Sequence, residues 1–305
     1  MIEQAWKRYC GWAAQARERQ GNAHQWMKIS LGLALLAAVC GTAADQARHW
    51  PFLHERLGGL GETVIGVVAG LAALGSALQA WLAKEKLSAE NEAQWIKARA
   101  AAEAIKSECY RYAGGTGAYA PSGDAADKLF ADRISALQSD AEAAGISPAD
   151  GAIPAARPVP PVPMDKAFYL KNRVDDQLGY FQKDRVKSDA RISQMRWLSI
   201  ISMLIAAVCG GHAAFAEGSP AAGWIGVLTT IIAAITAYSF ADRHKQNSIK
   251  AGMMVNRLND LKLRAESLSL DVLVTRTEDM MVAEHALWLT MMAKTQEQDA
   301  GTRQI

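Results

Sequence analysis

Charge is absent from four stretches of this 305-residue chain, Ile29 to Ala44, Thr63 to Ala83, Trp197 to Ala216 and Ala221 to Ala241, and is dense between and beyond them. A helix needs roughly 20 apolar residues to cross about 30 Å of hydrocarbon, and three of the four runs reach that length. The first is shorter, and Lys28 at its edge can lengthen it by snorkelling. Bulk composition hides this segregation, because 50% hydrophobic residues and a net charge of +2 also describe a soluble protein. The predicted fold class is an all-α membrane protein with four transmembrane helices and long helices continuing from the spans into the cytoplasm.

The apolar runs are related to one another. Leu35-Leu36-Ala37-Ala38-Val39-Cys40-Gly41 returns as Leu204-Ile205-Ala206-Ala207-Val208-Cys209-Gly210, and Ile65-Gly66-Val67 returns as Ile225-Gly226-Val227. Both matches fall at equivalent places in two helical hairpins, and each unit holds two spans. The copies therefore share one orientation and form a parallel repeat. A cleaved signal reading of the first run, ending at Thr42-Ala43-Ala44, conflicts with the long mixed-charge segment before it and with its recurrence in mid-chain. Val39 is likewise an unsuitable neighbour for a lipidated Cys40.

Basic residues orient the spans. Arg17, Arg19, Lys28, Lys84, Lys86, Arg185, Lys187, Arg191, Arg196, Arg243, His244 and Lys245 gather at one set of ends, whereas the second hairpin loop, Gly211 to Gly223, has no Lys or Arg. Both termini are expected in the cytoplasm. The first loop mixes Arg48 and Arg56 with acids, and its Trp50, Phe52, Leu53 and Leu57 predict a short segment lying at the membrane interface. The four cysteines lack metal-ligand or redox spacing and read as reduced and structural.

The expected domains are a first hairpin unit over 1–112 with spans near 29–44 and 63–83, and a cytoplasmic helix with a Pro-rich linker over 113–164. A second hairpin unit follows over 165–275, with spans near 197–216 and 221–241, then a C-terminal cytoplasmic helix over 276–305. A helix from Lys84 to about Tyr112 should break at Gly114-Gly115-Thr116-Gly117, and another should run from about Asp124 to Ala144. Pro154 to Pro163 reads as a stiff extended spacer, with recognition of its PxxP pattern as the other use. Asp165 to Arg196 reads as one helix leading into the third span. After the fourth span, Met254, Leu258, Leu261, Leu268 and Val272 recur in steps of a coiled-coil seam expected to assemble an oligomer. Thr275 with Glu278 forms a capping-box pattern that would end this helix and start the next.

No catalytic pattern emerges. The six His never form H-E-x-x-H, no Gly-rich loop has a P-loop Lys-Ser/Thr, and no serine sits in a nucleophile-elbow context. The chain is expected not to be an enzyme, to need no cofactor or metal, and to bind no nucleic acid, since anionic lipid accounts for its basic clusters. Its expected partners are membrane lipid and further copies of itself.

Tyr169-Leu170, Arg173, Gln177 and Tyr180 before a hairpin, followed by Ala265-Glu266, Glu278, Glu284 and Trp288, resemble the SLATT family of SMODS- and SLOG-associating two-transmembrane effector domains. Ala102-Glu103, Ile105-Lys106, Glu108, Tyr112 and Tyr119 in the first unit match the family's helix-then-tyrosine pattern, so the chain resembles two tandem units. The first lacks the Tyr-Leu-x-x-Arg-x-x-Gln entry and has Trp6, Arg8 and Trp12 there. The resemblance implies a pore-forming effector in the cytoplasmic membrane of a bacterium, working with a nucleotide-signalling partner protein in defence. Read structurally, Glu278 caps a helix, Trp288 is core or interface, and Tyr169 and Tyr180 pack between entry helices.

Two functions of different class stay open, a homo-oligomeric channel gated by its cytoplasmic helices and a membrane-anchored helical scaffold recruiting a partner. A polar stripe across the membrane favours the channel. Thr229, Thr236 and Ser239 lie along one face of the fourth span, and Ser76 and Gln79 take the places of Thr236 and Ser239 in the second. Gly66, Gly70, Ala73 and Ala77 have the small-xxx-small spacing that lets helices pack closely in lipid. No span carries an Asp, Glu, Lys or Arg for a proton relay or voltage sensor.

Overall fold

The computed structural model describes residues 1–48, 58–120, 123–143, 151–155, 157–215, 219, 221–241 and 244–302. Among the described residues every regular element is helical. The helices are α1 Ile2–Ala47, α2 Gly59–Glu85, α3 Ala89–Ala113, α4 Asp124–Glu142, α5 Lys166–Phe215, α6 Ala221–Ala241, α7 His244–Arg264 and α8 Leu270–Thr302. Helices α1, α2 and α5 are long and apolar enough to cross a membrane, and α6 is a shorter apolar helix. The loop residues Trp50, Phe52, Leu53 and Leu57 lie outside the described residues.

The chain divides into two compact units. One comprises His24–Ser88 and Asp184–Lys250 and holds the apolar helices. In it, Gly75 of α2 lies against Ala37 of α1, so that a Cβ there would stand 3.4 Å from the Ala37 Cβ and 3.5 Å from the Leu33 carbonyl oxygen. Gly210 of α5 similarly faces Ile225 of α6. The outer faces stay bare: only 11% of the most apolar window of α1, 11% of that of α2 and 6% of that of α5 is buried within the chain. Gly66, Gly70, Ala73 and Ala77 all lie on the exposed side of α2. Close approach inside the chain is thus made by Gly75, and the small-residue stripe is left to lipid or another copy.

The other unit comprises Met1–Ala23, Ala89–Lys183 and Ala251–Ile305 and has an ordinary globular core. Ala98, Ala101, Ala102, Ile105 and Cys109 make one buried face of α3, at the spacing of a helical stripe. In one buried cluster with it lie Trp6, Tyr9 and Trp12 of α1, Phe130 and Ile134 of α4, Tyr169, Val174 and Phe181 of α5, Met254 and Leu258 of α7, and Leu273 and Val274 of α8. Asp165 caps α5 by accepting from the Phe168 amide at 2.6 Å. The helix then runs unbroken to Phe215, as its sequence predicts, with one π turn over Leu170–Val174.

The predicted glycine break is present: α3 stops at Ala113, and Gly115 and Gly117 take φ of +59° and +56°, a region costly for residues with a Cβ. The Pro-rich segment is docked onto this core. The Trp6 indole donates to the Arg157 carbonyl at 3.0 Å, the Met164 amide donates to the Ala113 carbonyl at 2.9 Å, and Pro160 is buried. Its leading Gly151 sits so tightly on α1 that a Cβ would fall 2.2 Å from the Gly11 backbone nitrogen.

Three expectations are corrected. The helix predicted from Lys84 to Tyr112 breaks at residues 86–88, where Lys86 and Leu87 both donate to the Leu82 carbonyl. Ser88 followed by Glu90 and Glu92 restarts it as α3, the composition of a helix N-terminus. The break expected near Thr275 falls earlier, at Ala265–Ser267. Ser269 caps α8 by accepting from the Val272 amide at 3.3 Å, leaving Thr275 and Glu278 inside the helix. Finally, the apolar seam is not a free face. Met254 and Leu258 are buried in the core of their own chain, with Leu261 and Leu268 packed against it, while Val272 lies beyond the break on α8.

Candidate functional site

The most constrained cluster lies where α5 meets α8. Tyr169, just before the π turn, and Arg173, four residues on and within it, both point at Glu278. Arg173 donates from Nε to Glu278 Oε1 at 2.8 Å and from Nη2 to Oε2 at 2.7 Å, and the Tyr169 hydroxyl donates to Oε1 at 2.8 Å. All three side chains are essentially inaccessible. Burial disfavours the guanidinium charge, and Glu278 more than restores it, so Arg173 stays ionised. This paired fork is the geometry that makes arginine suited to buried carboxylates.

Arg173 faces other groups as well. Its guanidinium stands 5.3 Å from the Tyr110 ring centroid, and Tyr110 in turn packs edge-on against Tyr169 and Trp6. The Arg173 Nη1 makes no hydrogen bond and has Glu103 at 3.7 Å. Burial pushes the Glu103 carboxyl up, but Lys106 and Arg173 outweigh this and hold it below the usual carboxylate range. Burial and Arg173 hold the Lys106 ammonium below its usual range, against the pull of Glu103 and Asp176. The Tyr9 phenol is pushed up to about 12, by burial first and then by Glu103.

Beside this cluster opens a cavity of about 400 Å³ within the same unit, walled by α1, α3, α5, α8 and the Pro-rich segment. Arg173, Gln177, Tyr180, Glu284, Glu103 and Lys106, all carried by the resemblance motifs, line it. The structure thus gathers Tyr169, Arg173 and Glu278 in one buried network and these others around the cavity next to it. Ala265 and Glu266 contribute through the backbone: the Lys166 ammonium donates to their carbonyls at 2.9 and 3.4 Å, satisfying the end of α7. The Trp288 side chain lies outside the described residues. In the first half, Tyr119 donates to Glu108, which also pairs with Arg133, and Tyr112 donates to Asp127 at 2.6 Å.

Arg99, Arg157 and Arg17 also wall the cavity, and sequence reasoning passed over them as site residues. Arg99, Glu103 and Lys106 share one face of α3 at i, i+4 and i+7, a signal that was there to be read. Arg157 had no such signal, because its place depends on how the Pro-rich segment docks.

The pore-lining candidates fall in the other unit. Thr229, Thr236 and Ser76 are exposed on their helices and donate to the carbonyls of Ile225, Ile232 and Ala72, each four residues earlier, at 2.8 to 3.0 Å. Ser239 and Gln79 are half-buried. A hydroxyl bonded in this way retains acceptor capacity on its outer side.

Comparison with known proteins agrees with this geometry. Residues 169–288 match the family model described as SMODS and SLOG-associating 2TM effector domain 1, and residues 9–127 match a model described only as a protein of unknown function, DUF4231. Neither the curated proteins nor the solved structures give a match to the chain. The first match begins at Tyr169 and encloses Arg173, the apolar part of α5, the shorter apolar helix α6 and Glu278, so the buried network closes the matched segment on itself. Residues 169–288 are thus similar to the SLATT two-transmembrane effector domains, and the chain holds helices long and apolar enough for a membrane protein.

Proposed function

We propose that the protein is a homo-oligomeric channel or pore-forming effector with four spans, α6 being the fourth, whose globular helical unit gates the path in bacterial nucleotide-signalled defence. The observation that carries this reading is Gln79, in the last third of α2 but still inside its charge-free run. A threonine hydroxyl in a span can return its proton to its own helix, as Thr229, Thr230 and Thr236 do. An amide with two donors and a carbonyl cannot be satisfied that way, and hydrocarbon offers it nothing. Water along a path, or the same span of another copy, supplies its partners. The bare outer faces of α1, α2 and α5 leave room for neighbouring copies. An uncharged polar lining offers dipoles without a strong field for one sign of ion, so conduction should be weakly selective.

The α7 seam was the expected surface both for assembling the oligomer and for recruiting a partner in the scaffold alternative, and the burial of Met254 and Leu258 removes that support from both.

In this reading both termini and the globular unit are cytoplasmic. Single cysteines in a cysteine-free background test the topology. A membrane-impermeant maleimide applied to intact spheroplasts should label a cysteine at Ser219, between α5 and α6, and leave one at Ser139 on α4 unlabelled until the cells are opened. The reverse pattern would place the globular unit outside and defeat the gating scheme. Purified protein in planar bilayers should pass current.

A further inference from the structure

We propose that the cavity beside Arg173 binds a small phosphorylated ring compound of the nucleoside monophosphate class. Five cationic side chains, Arg17, Arg99, Lys106, Arg157 and Arg173, line it against three carboxylates, Glu103, Asp176 and Glu284. Glu278, behind the wall, is committed to Arg173 and Tyr169. One net positive charge therefore remains on the wall even when Glu278 is counted. Two of the cations are deeply buried and incompletely served. Arg173 leaves its Nη1 without a hydrogen bond, and Lys106, 5% exposed, has its carboxylate partner Asp176 at 3.7 Å and its ammonium 5.5 Å from the Tyr9 ring. Keeping a lysine so far from water costs free energy that an anion's oxygens would return.

The wall also carries aromatic rings among small and aliphatic side chains. Tyr9, Trp95, Tyr180 and Phe181 line the cavity, and the Tyr180 ring, 44% exposed, is held edge-on by Phe181 and by a hydrogen bond from Arg99 at 3.2 Å. An exposed ring fixed in this way offers a face for stacking, and neighbouring guanidinium planes add to it. A volume of about 400 Å³ lies within the range of small-molecule sites and exceeds what inorganic phosphate needs. The lining comes from α1, the Pro-rich segment, α3, α5 and α8, so an occupant would tie together all three stretches of this unit.

This site does not depend on the pore, since binding is read without current. Full-length protein in a zwitterionic detergent is titrated calorimetrically with adenosine monophosphate, ribose 5-phosphate, adenosine and a short-chain phosphatidylglycerol. Adenosine monophosphate should bind, ribose phosphate should bind about tenfold more weakly for want of the ring, and adenosine should bind weakly for want of charge. Lys106→Met keeps the buried stem and removes the charge, and should weaken adenosine monophosphate by about tenfold. Lys97→Met, on the exposed side of α3, should leave it unchanged. Thermal unfolding of both variants reports whether the fold is kept, and Arg17→Gln, at the exposed rim, serves as a second reading should Lys106→Met unfold. Stronger binding of the lipid than of the nucleotide would assign the charge to a headgroup and overturn the proposal. So would nucleotide binding that falls equally in Lys97→Met, or no binding at millimolar concentration.

Discussion

Arg173→Ala should destabilise the globular unit by about 3–5 kcal/mol, because it leaves Glu278 buried with only the Tyr169 hydroxyl as partner. The Coulomb and hydrogen-bond gain of the pair is largely offset by the cost of taking both charges out of water, and removing one side keeps the cost while losing the gain. Glu278→Leu should therefore be comparably damaging, since it strands the Arg173 guanidinium, whose other neighbour Glu103 stands at 3.7 Å and is shared with Lys106. The double variant Arg173→Met with Glu278→Leu should recover much of the loss. Thermal and urea unfolding followed by the fluorescence of buried Trp6 and Trp12 provides the measurement. A sum of the single effects in the double variant would mean that the two residues act independently, against the geometry.

Leu258→Ala has the second largest expected effect, about 2–5 kcal/mol, as a fully buried leucine in a packed core. The same substitution at Leu263, 82% exposed on the other side of α7, should stay within about 0.5 kcal/mol. The pair separates two uses of the α7 face. If the face holds the chain's own core together, the Leu258 variant loses stability and its folded fraction keeps the particle mass of the parent. A stable variant with reduced particle mass would return the seam to an oligomer interface.

That face shows where sequence reasoning stops. The periodicity of Met254, Leu258 and Leu261 dictates that one side of α7 leaves water, but nothing in the spacing says whether its cover is another copy or the core of the same chain. The charge-free runs were legible because hydrocarbon imposes a length and forbids charge. The Gly115–Gly117 break was legible because positive φ selects glycine. The Arg173–Glu278 pair joins residues more than a hundred positions apart, and no local rule connects them. Family resemblance marked both residues, while the capping-box pattern offered Glu278 a local role it does not have. The break at residues 86–88 was hidden by the continuous helical propensity on either side, although Ser88 ahead of Glu90 and Glu92 carried the signal of a new N-terminus.

The gating reading joins the two units by function alone, and its core is that the spans enclose a conducting path lined by Thr236 and Gln79. Purified protein reconstituted into planar bilayers, with current recorded for the parent, Thr236→Phe, Gln79→Leu and the exposed-face control Leu204→Val, tests this most directly. The account predicts current in the parent, a changed unitary conductance in the first two variants and an unchanged one in the control. An intact oligomer that passes no current, with or without nucleotide, in bilayers where a reference channel conducts would contradict it.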